Sequence, residues 1–432
     1  MNGLGSAFFR RPAVGIVASL ALRSFQIAML FVMEVVLARR LGIVGYGLFS
    51  YAMAWVLLFA LAQLGLAQLA LRETARSLEV GDFAALRGIW SWSAAVLGGY
   101  GLSVLTIAWA IAAFGDGVEA RMMAAALWIV PLLGLCYLAG AVLRALGRLA
   151  WGQMVESSLT PSLFVLLVLM FELVTGMSLS PERALGLYAA GALLAAAGGL
   201  WTWWRELPAP VRRTGGRWQA PAWGWSLAAL AASALLSSAS LQVNAVLLGF
   251  FRSPEEVGLF RVAAQIAMLA VFGLTAANTA LAPSFAAAHA RGDRRALQQL
   301  ASLSATVSAL IAGTIALLSA LFGRPLLAAA FGPQFAAAYG PLMILLLAQL
   351  VNAATGSVGF LLAMCRREHD ALAAQAAGVT VNLALAAFLI PPFGIGGAAV
   401  AAAVATVTWN VWMFVVLKAR LDILSLPFAA RR

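Results

Sequence analysis

This sequence is short of charge. Only 10% of its 432 residues are Asp, Glu, Lys or Arg, less than half the share of an ordinary soluble domain and too few to cover a water-facing globule. Cysteine and histidine are scarcer still, at two each. Cys136 lies within one apolar run and Cys365 at the end of another, a spacing that suits neither a disulfide framework nor a metal site. His289 and His369 fall in polar stretches without partner residues, so neither metal chemistry nor a cofactor is expected. Because the net charge of +12 is spread singly or in small groups between apolar runs, no nucleic-acid surface is expected either.

What is there instead is apolar length. Hydrophobic residues make up 63% of the chain, and runs long enough to cross a hydrocarbon core of ~30 Å at 1.5 Å per helical residue recur from end to end. Lipid is therefore the expected solvent. The first run, 13–38, is too long for the core of a cleavable signal peptide and reads as a permanent helix. Runs bounded by Arg, Pro and Gly predict helices over 13–38, 46–71, 88–114, 121–143, 153–175 and 184–204, then 225–250, 257–282, 296–322, 336–363, 371–391 and 395–417.

The expected fold is thus an all-α polytopic membrane protein of about 12 transmembrane helices. It divides into a six-helix lobe over 1–207, a cytoplasmic basic linker over 208–223, and a second six-helix lobe over 224–432. With the N-terminus inside, the inner loops hold 20 basic residues and the outer loops 6, which predicts both termini in the cytoplasm of a bacterial inner membrane. Pro208, Pro210, Gly215, Gly216 and Pro221 predict an irregular linker, and Trp201, Trp203, Trp204, Trp218, Trp223 and Trp225 around it predict an aromatic belt at the inner interface.

The chain also resembles itself. Gly47-Leu48-Phe49 through Gly81-Asp82 and Leu86 match Gly258-Leu259-Phe260 through Gly292-Asp293 and Leu297 at a constant offset of 211. That offset spans an even number of predicted helices, so the halves should share one orientation and be related by an axis along the membrane normal. A cleft between two such bundles is the usual geometry of alternating access.

Several of these residues carry a family likeness. Leu37-Ala38-Arg39-Arg40-Leu41-Gly42 with Gly45-Tyr46-Gly47-Leu48-Phe49 resembles the first loop of the polysaccharide (O-antigen) flippases, within the multidrug/oligosaccharidyl-lipid/polysaccharide exporter superfamily. Ala67-Gln68-Leu69-Ala70-Leu71-Arg72, Arg291-Gly292-Asp293 and Ile390-Pro391-Pro392-Phe393-Gly394-Ile395-Gly396-Gly397 extend the resemblance over both halves. It implies a MATE-like, V-shaped pair of lobes lined by helices 1, 2, 7 and 8, no enzymatic step, and a substrate of undecaprenyl-diphosphate-linked oligosaccharide. It also implies movement from inner to outer leaflet for O-antigen, capsule or exopolysaccharide assembly, beside glycosyltransferases and a polysaccharide polymerase as partners. Two C-terminal helices of longer members are lacking.

Such a substrate needs cationic donors for the diphosphate, for which the planar fork of arginine is suited, and hydrogen-bonding groups for the glycan. Arg23, near the centre of the first helix, and Arg261, at the start of the eighth, are the candidate cations, with Gln26 and Gln265 beside them. Arg23 has a structural alternative as a hydrogen-bond donor to a neighbouring helix, and Arg261 as an interfacial side chain. Glu34 shares a face with Arg23 but lies ~16 Å along the axis. It is either a site for a coupling proton or cation or an interfacial carboxylate paired with Arg39 or Arg40. Asn244, Asn278, Gln349, Asn352, Gln375 and Asn382 read as interhelical hydrogen-bonding groups, and Glu156 and Glu172 as interfacial carboxylates. The alternative functions are a cation-coupled multidrug exporter and a peptidoglycan-precursor flippase on the same fold. A membrane glycosyltransferase would need larger outer loops than these.

Overall fold

The computed structural model describes residues 12–365 and 367–429, and among them every regular element is helical. Arg10, Arg11, Arg366, Arg431 and Arg432, five of the basic residues assigned to the inner side, lie outside the described residues. Helix dominates because an apolar backbone in lipid must satisfy each N–H and C=O within its own segment.

The stretch Pro12–Val80 is helical but for Gly42 (φ 67, ψ −180), which divides it into α1 (12–41) and α2 (43–80). Next come α3 (Phe83–Phe114), α4 (Gly117–Ala145), α5 (Leu149–Thr175) and α6 (Pro181–Arg205). After the linker come α7 (Ala220–Phe251), α8 (Pro254–Leu269 continuing as Phe272–Ala290), α9 (Arg294–Phe331) and α10 (Pro333–Met364). The stretch Glu368–Leu421 is broken at Gly394 (φ 54, ψ −131) into α11 (368–393) and α12 (395–421). Among the described residues, eight helices are long and apolar enough to cross a membrane, or nine with the two arms of α7 taken together. Where the sequence predicts loops, at 39–45 and 392–394, the chain stays helical and turns at one glycine. Only a residue without Cβ adopts those positive φ values at no steric cost.

The chain forms two compact units, the first ending at Gln242 and the second beginning at Val243. The core of the first joins Leu69, Leu86, Ile89 and Trp90 to Leu138, Val142, Val211 and Trp223. That of the second joins Phe285, Leu297 and Ala301 to Leu361, Leu362, Met413, Leu417 and Ile423.

The internal repeat is visible bond by bond. Gly81 and Gly292 both have positive φ (73° and 67°). Asp82 and Asp293 cap the following helix, their side chains accepting from Ala85 N and Ala296 N at 2.9 Å each. Asp82 N donates to Ser77 O at 2.9 Å, and Asp293 N to Ala288 O at 3.0 Å. Further along, Leu146 N to Val142 O and Arg148 N to Leu143 O reappear as Cys365 N to Leu361 O and Arg367 N to Leu362 O.

The linker is more ordered than its Pro and Gly content predicts. It forms a turn of helix, Ala209–Arg213, then folds back on the start of α3. Arg217 N donates to Ala84 O at 2.9 Å, the Arg217 guanidinium reaches Asp82 at 2.5 Å, and Arg87 Nη1 donates to Thr214 O at 2.8 Å. Gly88 makes the approach possible, since a Cβ there would lie 2.0 Å from Arg217 O. The aromatic belt therefore needs correction. Trp201, Trp204, Trp218 and Trp225 are exposed, whereas Trp223 is buried against Trp92 and Trp203 packs edge-on against Trp90 at 5.3 Å. Trp223 is part of the core of the first unit, and Trp203 packs at its edge.

Candidate functional site

On α1, Arg23 is exposed and Gln26 half-buried. Glu34, on the same helix, is 3% exposed, and its carboxylate accepts the Tyr46 hydroxyl at 2.5 Å. That bond crosses the Gly42 break and clasps α1 to α2. Arg40, expected near Glu34, is found in an ion pair with Glu172 of α5 at 3.1 Å. On α8, Arg261 and Gln265 are half-buried one turn apart, and Arg261 engages a partner rather than standing free. The α1 residues belong to the first unit and the α8 residues to the second, so each unit presents its own arginine with a glutamine one turn on or nearly so.

One polar contact follows the sequence reading: Asn244 on α7 donates to Asn382 on α11 at 3.1 Å, both fully buried. Asn352 instead donates to Gln349 within its own helix, α10, at 2.9 Å, so this pair is joined along one helix and not across two. Others add partners that the reading did not name. Glu156, read as interfacial, lies in the π-helical turn Met154–Ser158 and pairs with Arg144 at 2.8 Å. A single wide turn in a helix is often found at functional positions. Here it places Glu156 opposite the end of α4, where Gly140 and Gly152 let the two backbones approach. A Cβ on either glycine would meet the other's carbonyl oxygen at 2.6 Å. The sequence does hold a signal for this pair, since each charge follows a glycine by one helical turn. His289, read as lying in a loop without partners, lies in α8 with Nδ1 3.5 Å from Cys365 Sγ.

Gln63 was not singled out by the sequence. It is 4% exposed on α2, and neither end of its amide has a hydrogen-bond partner in the protein. Leaving a buried polar group unpaired costs about 1–3 kcal/mol, so this amide is a hydrogen-bonding group held ready inside the first unit. Gly134 on α4 makes room for it, as a Cβ there would meet Gln63 Oε1 at 2.6 Å. A cavity of ≈ 540 Å³ also opens in this unit, walled by Trp90, Trp203, Trp204 and Leu207 with Arg87 and Ser91. The charged groups of the spans are paired or exposed, and the buried neutral ones are amides and hydroxyls. Such groups can offer hydrogen bonds and charge to a polar ligand.

Comparison with known proteins agrees with this architecture. Residues 14–289 match the family described as "Polysaccharide biosynthesis protein". No curated protein matches the sequence significantly. Among solved structures, an inward-facing multidrug resistance MATE family transporter of the MOP superfamily is similar over 90% of this chain and 94% of its own, with a TM-score of 0.73 and 13% identity. The lipid II flippase MurJ in an inward closed conformation is similar over 93% and 87%, with a TM-score of 0.70 and 11% identity. A MOP superfamily transporter from Pyrococcus furiosus is similar over 100% of both chains, with a TM-score of 0.65 and 14% identity. At these identities the likeness is one of fold. The chain is a multi-pass membrane protein with the MATE-like fold of the MOP superfamily transporters, and it belongs to the polysaccharide biosynthesis protein family.

Proposed function

We propose that this protein flips an undecaprenyl-diphosphate-linked oligosaccharide from the inner to the outer leaflet of a bacterial inner membrane by alternating access, for O-antigen, capsule or exopolysaccharide assembly. The observation that carries this reading is the family match over 14–289 on a fold shared with a lipid-linked precursor flippase. In this reading α1, α2, α11 and α12 are separate crossings on either side of the Gly42 and Gly394 breaks, giving twelve spans with both termini in the cytoplasm. The basic inner loops support that orientation.

Within this mechanism Arg23 and Arg261 receive the diphosphate, and Gln26 and Gln265 hydrogen-bond the first sugars. An exposed arginine on a membrane helix is tolerated where water or an anion meets its guanidinium, which suits Arg23 to this task. Glu34 is the acidic group on the same helix that a coupled ion would use, acting through its bond to Tyr46. Glycosyltransferases and a polymerase are the partners that would supply and consume the lipid-linked unit.

Deleting the gene should abolish surface glycan while lipid-linked repeat units stay in the inner leaflet. Arg23→Gln should lower complementation about tenfold, the scale of losing one charge-assisted phosphate contact, and Arg23→Lys should restore part of it. Unchanged glycan export in the deletion strain rejects the proposal.

A further inference from the structure

The repeat allows one copy of a groove to be read against the other. In the first unit, α2 and α3 diverge from the Gly81–Asp82 turn, and the space between them is lined by Glu73, Arg76, Ser77, Val80 and Ala85. Gln219 and Trp223 of the returning chain fill it, and only ≈ 80 Å³ remains. In the second unit, α8 and α9 diverge from the matching Gly292–Asp293 turn. The groove there is lined by Ser284, Ala287, Ala288, Arg291, Ala296 and Gln299, and it holds ≈ 510 Å³. At the offset of 211, residues 73, 76, 77, 80 and 85 become 284, 287, 288, 291 and 296, so the two cavities are one site in two copies.

The second copy stays open because the segment after α12 takes another route. Gln298 exchanges two hydrogen bonds of 2.7 Å with the backbone of Leu424, and Phe428 N donates to Thr306 Oγ1 at 3.1 Å. These contacts carry residues 424–428 along α9, whereas the linker in the first unit turns back across α3 into its groove.

Side chains have changed with the occupancy. The floor is smaller, with Ser284 and Ala287 where the filled copy has Glu73 and Arg76. Arg291 lines the groove, and Arg294 and Arg295 follow it at the start of α9, where the filled copy has Val80, Phe83 and Ala84. All three arginines are exposed. None is in an ion pair among the described residues, and the adjacent Asp293 carboxylate caps α9 through Ala296 N. A groove of small side chains with Ser284, Gln299 and Arg291 as its polar groups, Leu300 and Leu303 as its apolar ones, and Arg294 and Arg295 beside it at the end of two membrane helices is complementary to a phosphodiester headgroup whose acyl chains remain in the bilayer.

We propose that this groove binds the headgroup of an anionic phospholipid of the cytoplasmic leaflet, in the space that the protein's own linker fills in the other copy. The inference rests on the topology of the proposed function, which puts the Gly292–Asp293 turn on the cytoplasmic side, but its test requires no glycan movement. Full-length protein, delipidated in neutral detergent, is titrated with phosphatidylglycerol, phosphatidylcholine or glycerol 3-phosphate, and binding is followed by native mass spectrometry and thermal unfolding. Phosphatidylglycerol should bind and raise the unfolding temperature, with the other two ineffective. The triple variant Arg291→Gln, Arg294→Gln, Arg295→Gln should weaken binding about tenfold or more, given the attraction of each arginine for an anionic surface. Ala287→Trp, which fills the groove and keeps every charge, should weaken it as much, while both variants unfold like the parent in the absence of lipid. Equal binding of phosphatidylcholine, equal protection by glycerol 3-phosphate, or unchanged affinity in Ala287→Trp overturns the proposal. Loss of glycan flipping with lipid binding intact counts against the transport reading alone.

Discussion

The turn from α2 to α3 and the turn from α8 to α9 are the same piece of backbone twice, down to the positive-φ glycine and the aspartate cap, yet they are used differently. The first is crossed by the chain that follows α6, whose Arg217, Gln219 and Trp223 meet Asp82 and the groove beside it. The second is bare, and arginines stand at the corresponding places. Duplicated backbone therefore fixes helix placement, while side chains within each copy are free to follow what covers them. The same divergence appears at the ends of α4 and α10. Their matching turns carry the Arg144–Glu156 ion pair in the first unit and, at the corresponding positions, Ala363 and Gln375 in the second.

The comparison breaks most visibly at Trp223. Trp223→Ala should destabilise the first unit by about 3–5 kcal/mol, as for a large buried ring replaced by a methyl group, read as the loss of unfolding free energy in detergent. Gly88→Val should cost about 1–3 kcal/mol by overpacking against Arg217 O. Gln299→Val, at the matching exposed position of the open copy, should stay within about 0.5 kcal/mol of the parent. Equal effects at 88 and 299 would mean that the linker is not seated as described.

Smaller effects sharpen the contrast. Glu156→Gln should cost about 1–2 kcal/mol, between the values for an exposed and a fully buried pair, because Arg144 and Glu156 keep 26% and 23% of their surface exposed. Gln375→Ala in the second unit, where the amide oxygen has no partner, should cost less. Asp293→Ala should cost about 1 kcal/mol, the value of one helix cap. Asp82→Ala should cost a little more, since Asp82 also holds Arg217. A larger loss at Asp293 than at Asp82 would reverse the assignment of filled and open copies.

Much of the fold was legible because each span must be long, apolar and bounded by polar residues, and those features are written in one dimension. The repeat was legible for a similar reason: Gly-Asp at a helix start is a local signal that needs no partner. The breaks were less so. Arg39, Arg40 and Gly42 look like a loop, but a helix in lipid keeps its bonds and bends at the one residue able to adopt positive φ. Pairings were least legible, because helices apolar on nearly every face give no periodicity to show which side meets which neighbour. The Arg144–Glu156 pair was hidden for that reason, and Gln63 did not stand out at all. Trp203 and Trp223 looked like belt residues because nothing local shows that they pack against Trp90 and Trp92. Arg23 and Gln26 were placed on α1 correctly, while the engagement of Glu34 by Tyr46 depends on how sharply Gly42 turns the chain.

The most direct measurement follows a lipid-linked sugar across a bilayer. Purified protein is reconstituted into liposomes with a fluorescent undecaprenyl-diphosphate sugar in one leaflet, and a membrane-impermeant quencher reports its appearance in the other. Transfer should be faster than in protein-free liposomes and slowed about tenfold by Arg23→Gln, in keeping with loss of a charge-assisted diphosphate contact. Transfer at the protein-free rate, or transfer indifferent to Arg23, would contradict the role assigned to this chain and to its first helix.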